Sequence, residues 1–264
     1  DEEVPAGGGD RASGSGAAAR RAGFFLDEFV LHRGAVAALH ASVVEALAPG
    51  GFGRPLAGNC LCSLSNSRAS GRSFVVQQGG KRVVRENLFA LATLHACSVL
   101  EVGFNAGHSA ALFCFAWTSA CLAEPRAAPF RYRGFDICEH PYARPCFEAL
   151  QGIYCAEVEM ELVEGDSTVT MRPECDEACD SPANGGFDLV HIDGCHTPRV
   201  AREDVLNARR FAAGPRLLLF DDATLPGLPE LLDELVSARV IADVAPGELQ
   251  GFTPTRLHRL FRYL

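Results

Sequence analysis

No apolar run in the chain approaches the roughly 20 residues needed to span a bilayer. The longest candidate, 110–122, is shorter and is interrupted by Thr118 and Ser119, so no membrane partner is expected. Basic charge is also scarce: 24 Lys and Arg stand against 33 Asp and Glu, a formal net charge of −9. A nucleic-acid binder needs a basic face to displace counterions from phosphates, so nucleic acid is not an expected partner either. The doublets Arg20-Arg21 and Arg209-Arg210 read as a basic arm and a solvated helix face. No internal repeat is visible, and no pair of Cys-x-x-Cys motifs occurs. Cys60-x-Cys62 and Cys175-x-x-x-Cys179 lack the spacing of a zinc site. Of the 11 cysteines, Cys97, Cys114 and Cys121 lie in apolar stretches, where free Cys behaves as a small hydrophobe. Reduced thiols are expected, because a chain of 264 residues that is 48% hydrophobic can build a core without disulfides.

That length accommodates one large core, or a core with a small cap. Residues 1–22 are rich in Gly, Ala, Ser and Arg without periodicity and read as a disordered tail. Residues 23–96 form the expected N-terminal helical cap and loop. Within them, apolar residues recur at helical spacing over 24–47. That stripe is more readily core or cap than substrate lid, and a homodimer contact remains open. The Gly- and Ser-rich 51–73 reads as loop, and a helix is expected over 83–95.

From residue 97 to 264 strands and helices alternate. Strands are expected at Ser98–Val102, 132–136, 159–163, Phe187–Ile192 and 216–220, with helices over 110–122, 142–152 and 199–212. Such alternation predicts an α/β fold with a parallel sheet covered on both faces. The end departs from this pattern. Segments 240–244 and 257–263 follow a single helix over 229–237, so a terminal hairpin with one antiparallel strand is expected.

The stretch Glu101-Val102-Gly103-Phe104-Asn105-Ala106-Gly107-His108-Ser109 follows an apolar strand and opens a helix. Glycines in such a turn let the backbone approach a ligand, and the helix start offers free N–H groups, as at a nucleotide-like cofactor site. Acids then recur at the strand ends: Glu101, Asp136, Asp166, Asp193 and the pair Asp221-Asp222. Ligands of open parallel sheets bind at these carboxyl ends. Asp136 is placed to accept hydrogen bonds from a ribose diol. Asp193, Asp221 and Asp222 would repel one another unless a cation neutralised them. Their hard oxygen donors suit Mg²⁺, with Ca²⁺ and Mn²⁺ as alternatives.

In these motifs the chain resembles the class I S-adenosylmethionine-dependent methyltransferases, closest to the catechol O-methyltransferase-like and small-molecule O-methyltransferases. The resemblance runs over roughly residues 75–264. It rests on Glu101-x-Gly-x-x-x-Gly-x-Ser109, on Asp193-Gly-x-His196, on the Asp221-Asp222 pair and on the closing Arg259-Leu-Phe-Arg-Tyr263. It implies a Rossmann-like, doubly wound, mostly parallel seven-stranded sheet with an antiparallel last strand. It also implies that Glu101, Gly103, Asn105, Gly107 and Ser109 hold the methionine end of S-adenosylmethionine. Asp136 would take the ribose, Asp166 and Ser167 would border the adenine, and Asp193 would touch both cofactor and metal. The metal ligands by this likeness are Asp193, Asp221 and Asp222.

The pattern also departs from the family. Where catechol-type enzymes carry a lysine base, this chain has His196, and where some sugar-modifying relatives carry an Asp, it has Cys195. An imidazole, which ordinarily titrates near about 6.5, is suited to take a hydroxyl proton at neutral pH. His196 and Asp193 are therefore the expected catalytic residues. The expected reaction is methyl transfer to a hydroxyl of a small molecule, assisted by a divalent metal. A metal-independent N- or S-methyltransferase is the alternative. A nicotinamide-dependent oxidoreductase is disfavoured by the glycine spacing and the distant Asp136. The chain starts at Asp1 rather than Met, so a targeting peptide would be missing with the native N-terminus, and a cytoplasmic location is the default expectation.

Overall fold

The computed structural model describes residues 62–65, 73–76, 81–123, 128–172 and 186–264. The expected tail over 1–22, the helical stripe over 24–47 and the Cys175–Cys179 spacing lie outside them. Within 51–73 the structure corrects one expectation. Strand β1 (Cys62–Ser65), inside the stretch expected as loop, pairs antiparallel with β2 (Ser73–Val76), which starts at that stretch's last residue. The serines that suggest loop occupy alternate positions in Cys-Ser-Leu-Ser, and alternation is the strand signal.

Helix α1 (Lys81–Leu94) precedes the main sheet. The chain then runs β3 (Ser98–Val102), α2 (His108–Ala123), β4 (Phe130–Asp136), α3 (Ala143–Tyr154), β5 (Val158–Glu164) and the one-turn α4 (Ser167–Thr170). It continues through β6 (Phe187–Ile192), α5 (Pro198–Ala208), β7 (Ala212–Phe220), α6 (Leu228–Ser237), β8 (Ile241–Asp243) and β9 (Arg259–Tyr263). The seven strands lie in the order β5-β4-β3-β6-β7-β9-β8. β5, β4, β3, β6 and β7 are mutually parallel, and β9 runs against both of its neighbours. The expected doubly wound sheet with a terminal hairpin is thus present. Its strand order reverses between β3 and β6, the crevice where such sheets bind ligands.

Period-2 alternation sends each strand's residues to opposite faces. Val99, Leu189, Leu217 and Leu219 pack with α1, α2 and α3, whereas Leu100, Val190, Leu218 and Phe220 pack with α5 and α6. Helix α2 is apolar all round and buried from His108 to Ser119, as a helix enclosed between sheet and outer helix must be. Helix α1 lies against it. The strand expected over 216–220 begins earlier, at Ala212. The Gly214-Pro215 pair reads as a breaker but is absorbed by a register shift against β6, with positive φ at Gly214 and Arg216. Among the described residues, no helix is long and apolar enough to cross a membrane.

Candidate active site

The turn after β3 is held by neighbouring strand ends. Gly103 donates its N–H to the Phe135 carbonyl at 2.8 Å, and Asp193 donates to the Val102 carbonyl at 2.9 Å. Gly103 has φ +98°, and a Cβ there would lie 2.1 Å from the Asp193 carbonyl oxygen. No other residue fits where β3 and β6 come this close. Asp136 ties the turn from the other side. Its two carboxylate oxygens accept the N–H groups of Asn105 and Cys138, each at 2.7 Å. The Tyr142 hydroxyl donates to Asn105 Oδ1 at 2.9 Å.

Glu101 lies beneath this turn and is 0% exposed. It accepts hydrogen bonds from the hydroxyls of Ser109 and Tyr132 and pairs with His191 Nδ1 at 2.8 Å. Burial, followed by the Glu101 charge, pushes the Tyr132 hydroxyl well above its ordinary value. Glu101 is not on the wall of the adjoining cleft, whereas Ser109 and His191 are. Its carboxylate orients those two side chains.

The cleft, about 210 Å³, opens over the ends of β3, β6 and β7. Residues 103–106 of the glycine turn, His108 and Ser109 line it together with Asp193, His196, Asp221 and Asp222. The three aspartates proposed to share a metal are divided into two groups. Asp193, His196 and Asp222 bring ligand atoms within 4.8 Å of one another. His196 Nε2 stands 3.7 Å from Asp193 Oδ1 and 4.0 Å from Asp222 Oδ2. Asp221 instead turns inward to His258 Nε2 at 3.3 Å and accepts the N–H of Asp222 at 2.7 Å. Burial alone would raise the Asp221 carboxyl. The His258 ion pair, with His191 and the Asp222 amide, holds it well below the usual carboxylate range. Positive φ at Asp222, 49°, lets consecutive carboxylates point into different surroundings.

Asp166 and Ser167 stand apart from the lining of this cleft, at the end of β5. Asp166 caps α4, accepting both the N–H and the hydroxyl of Thr168, and these bonds lower its carboxyl below the ordinary value. Ser167 donates to buried Asp204 at 2.6 Å. His191 and His258 were given no role from the sequence. The available signal was a histidine inside an otherwise apolar strand, Phe-Asp-Leu-Val-His-Ile, in a sheet buried on both faces.

A family model described as a methyltransferase domain matches residues 100–223, from within β3 to just past Asp222. Residues 100–223 thus carry a methyltransferase domain. The methyltransferase is similar in fold to cofactor-bound Rv0187 from MTB, with 18% identity over 91% of this chain and 95% of that chain and a TM-score of 0.54. A putative O-methyltransferase from Klebsiella pneumoniae is also similar, with 16% identity, coverage of 86% and 89%, and a TM-score of 0.47. An O-methyltransferase from Bacillus cereus in complex with SAH shows 13% identity, coverage of 70% and 80%, and a TM-score of 0.45. The comparison with curated proteins finds no match.

Proposed function

We propose that this methyltransferase transfers the methyl group of S-adenosylmethionine to a hydroxyl of a small molecule, with a divalent cation, Mg²⁺, held by Asp193 and Asp222. The observation that carries this reading is the convergence of Asp193, His196 and Asp222 on the cleft that the glycine turn also lines. The donor chemistry fits: Mg²⁺ is ordinarily bound by one or two carboxylates, with water and substrate completing its shell. Asp221, engaged by His258, is left out of this set.

The cofactor's methionine end lies along Gly103, Asn105, Gly107 and Ser109, whose hydroxyl Glu101 orients. Asp136 accepts the ribose hydroxyls with lone pairs not used by the two backbone amides, Asp166 and Ser167 border the adenine, and Asp193 stands between cofactor and metal. A cation at Asp193 and Asp222 would supply Lewis acidity toward the acceptor hydroxyl and fix its position. His196 takes the hydroxyl proton at Nε2, which is buried and has no hydrogen-bond partner. The protein's remaining task is alignment, since two reactants held in line gain up to roughly 7–11 kcal/mol of barrier reduction.

The test is methyl transfer from ¹³C-methyl S-adenosylmethionine to a panel of vicinal diols, catechols, amines and thiols, with and without EDTA. We expect an O-methyl product, loss of turnover on chelation and recovery with Mg²⁺. Full activity under chelation, with an N- or S-methyl product, would replace this reading by the metal-independent alternative.

A further inference from the structure

Beneath the cleft lies a second cluster that methyl transfer does not use. His191, Asp221 and His258 are 1%, 5% and 1% exposed, and they bring ligand atoms within 4.8 Å of one another. We propose that these three residues form a second metal site, taking a first-row transition-metal dication of the Zn²⁺ class.

The tautomer of His191 is the first support. Glu101 already accepts from two hydroxyls, and an ionised carboxylate only accepts. His191 Nδ1 therefore carries the hydrogen in its 2.8 Å bond to Glu101. In the neutral ring, the form that ligates a metal, Nε2 is then a bare lone pair, and it is buried without a hydrogen-bond partner. A carboxylate that fixes one imidazole nitrogen so that the other can ligate is the usual outer-shell arrangement of metal-binding histidines.

His258 supplies the second support. Neither of its ring nitrogens has a hydrogen-bond partner, although both are buried, and unpaired buried polar atoms are costly. An ion pair with Asp221 at 3.3 Å accounts for one of them and leaves His191 Nε2 unexplained. A dication among the three accounts for His191 Nε2, a His258 nitrogen and the Asp221 charge together.

Two imidazoles and one carboxylate select a borderline transition ion over Mg²⁺. The site differs in this from the oxygen-rich pair Asp193 and Asp222. Its ligands come from β6, from the end of β7 and from just before β9, which are neighbours in the sheet. One ion therefore pins three strand ends under the cleft, and His191 and Asp221 on the cleft wall give it a route in. The site stands whether or not the methyl transfer itself needs Mg²⁺.

The experiment uses the tag-free full chain, stripped with chelator and dialysed against Zn²⁺ or Co²⁺, with metal content measured by inductively coupled plasma mass spectrometry. We expect one tightly held Zn²⁺ per chain, retained in Asp222→Asn and lost in both His191→Gln and His258→Gln. Equimolar Co²⁺ should give a visible d–d spectrum in the unmutated protein, so the proposal does not depend on the variants folding. Zn²⁺ should also raise the thermal midpoint of the unmutated protein and not that of His258→Gln. No Zn²⁺ retained and no cobalt spectrum in the unmutated protein would overturn the site. Loss of Zn²⁺ in Asp222→Asn but not in His258→Gln would overturn it too, by moving the ion to the other cluster. Methyl-transfer activity enters neither readout, so failure of this site and failure of the proposed reaction are separately visible.

Discussion

Replacing Glu101 tests the reasoning about the centre of the site most directly. Its carboxylate is fully buried and accepts from Ser109, Tyr132 and His191. Removing it by Glu101→Ala leaves three buried donors unpaired, each costing about 1–3 kcal/mol, and opens a cavity as well. The loss should be at least about 4 kcal/mol, a large share of the roughly 5–15 kcal/mol that a folded domain possesses. Glu101→Gln should be much milder. The amide oxygen can keep Ser109 and His191, while the amide nitrogen meets the Tyr132 hydroxyl, which can turn to accept. Exchanging charge-assisted bonds for neutral ones then costs about 1–2 kcal/mol. Urea unfolding followed by tryptophan fluorescence measures both, because the chain has 1 Trp and Trp117 is buried against Phe130 at a ring separation of 5.3 Å. A shift of the midpoint at constant slope gives the difference in stability. If Glu101→Ala unfolds within about 1 kcal/mol of the unmutated protein, or Gln proves as damaging as Ala, the account of Glu101 as a triple acceptor is refuted.

Gly103→Ala should lower stability by about 3 kcal/mol or more and abolish activity, since its Cβ would lie 2.1 Å from the Asp193 carbonyl at φ +98°; an unchanged melting temperature would contradict this. Asp136→Ala removes the acceptor of two backbone amides, and should raise the KM for S-adenosylmethionine by at least about tenfold while changing kcat less, as steady-state kinetics would show. Burial, opposed in part by the Ser167 hydrogen bond, lifts the Asp204 carboxyl from 3.8 to about 6. A carboxyl raised on folding is penalised when ionised, so its cost is absent below pH 3.8 and complete above about pH 6. Stability should therefore fall across that window by up to about 3 kcal/mol, and Asp204→Asn should flatten the fall when denaturant midpoints are compared from pH 4 to 7.

The architecture of 97–264 was legible because its signals are local. Apolar strands such as Ser98–Val102 and Phe187–Ile192 are bounded by turn residues, and helical periodicity fills the intervals between them. Boundaries failed where tertiary context overrode a local cue, as at Gly214-Pro215, which pairing with β6 carries into a strand. The β1–β2 pair was missed for the same reason, since the Ser-rich β1 becomes a strand by pairing with β2. The candidate residues were named from their positions at and just after strand ends, and of these Asp193, His196 and Asp222 converge. Glu101, named as a cofactor contact, is fully buried and off the cleft wall.

What the amino-acid sequence determined alone was the sheet's composition, its winding, and the list of acids at its carboxyl ends. It could not say which acids share a space, because consecutive residues such as Asp221 and Asp222 are equivalent in a pattern and diverge only in three dimensions. That divergence depends on a positive φ at Asp222 and on His258, which lies far along the chain and arrives beside Asp221 only because β9 inserts between β7 and β8. Likewise Glu101 and His191 become partners through the register of β3 against β6. Side-chain chemistry is written in the chain, but the pairing of distant groups is decided by strand order and register.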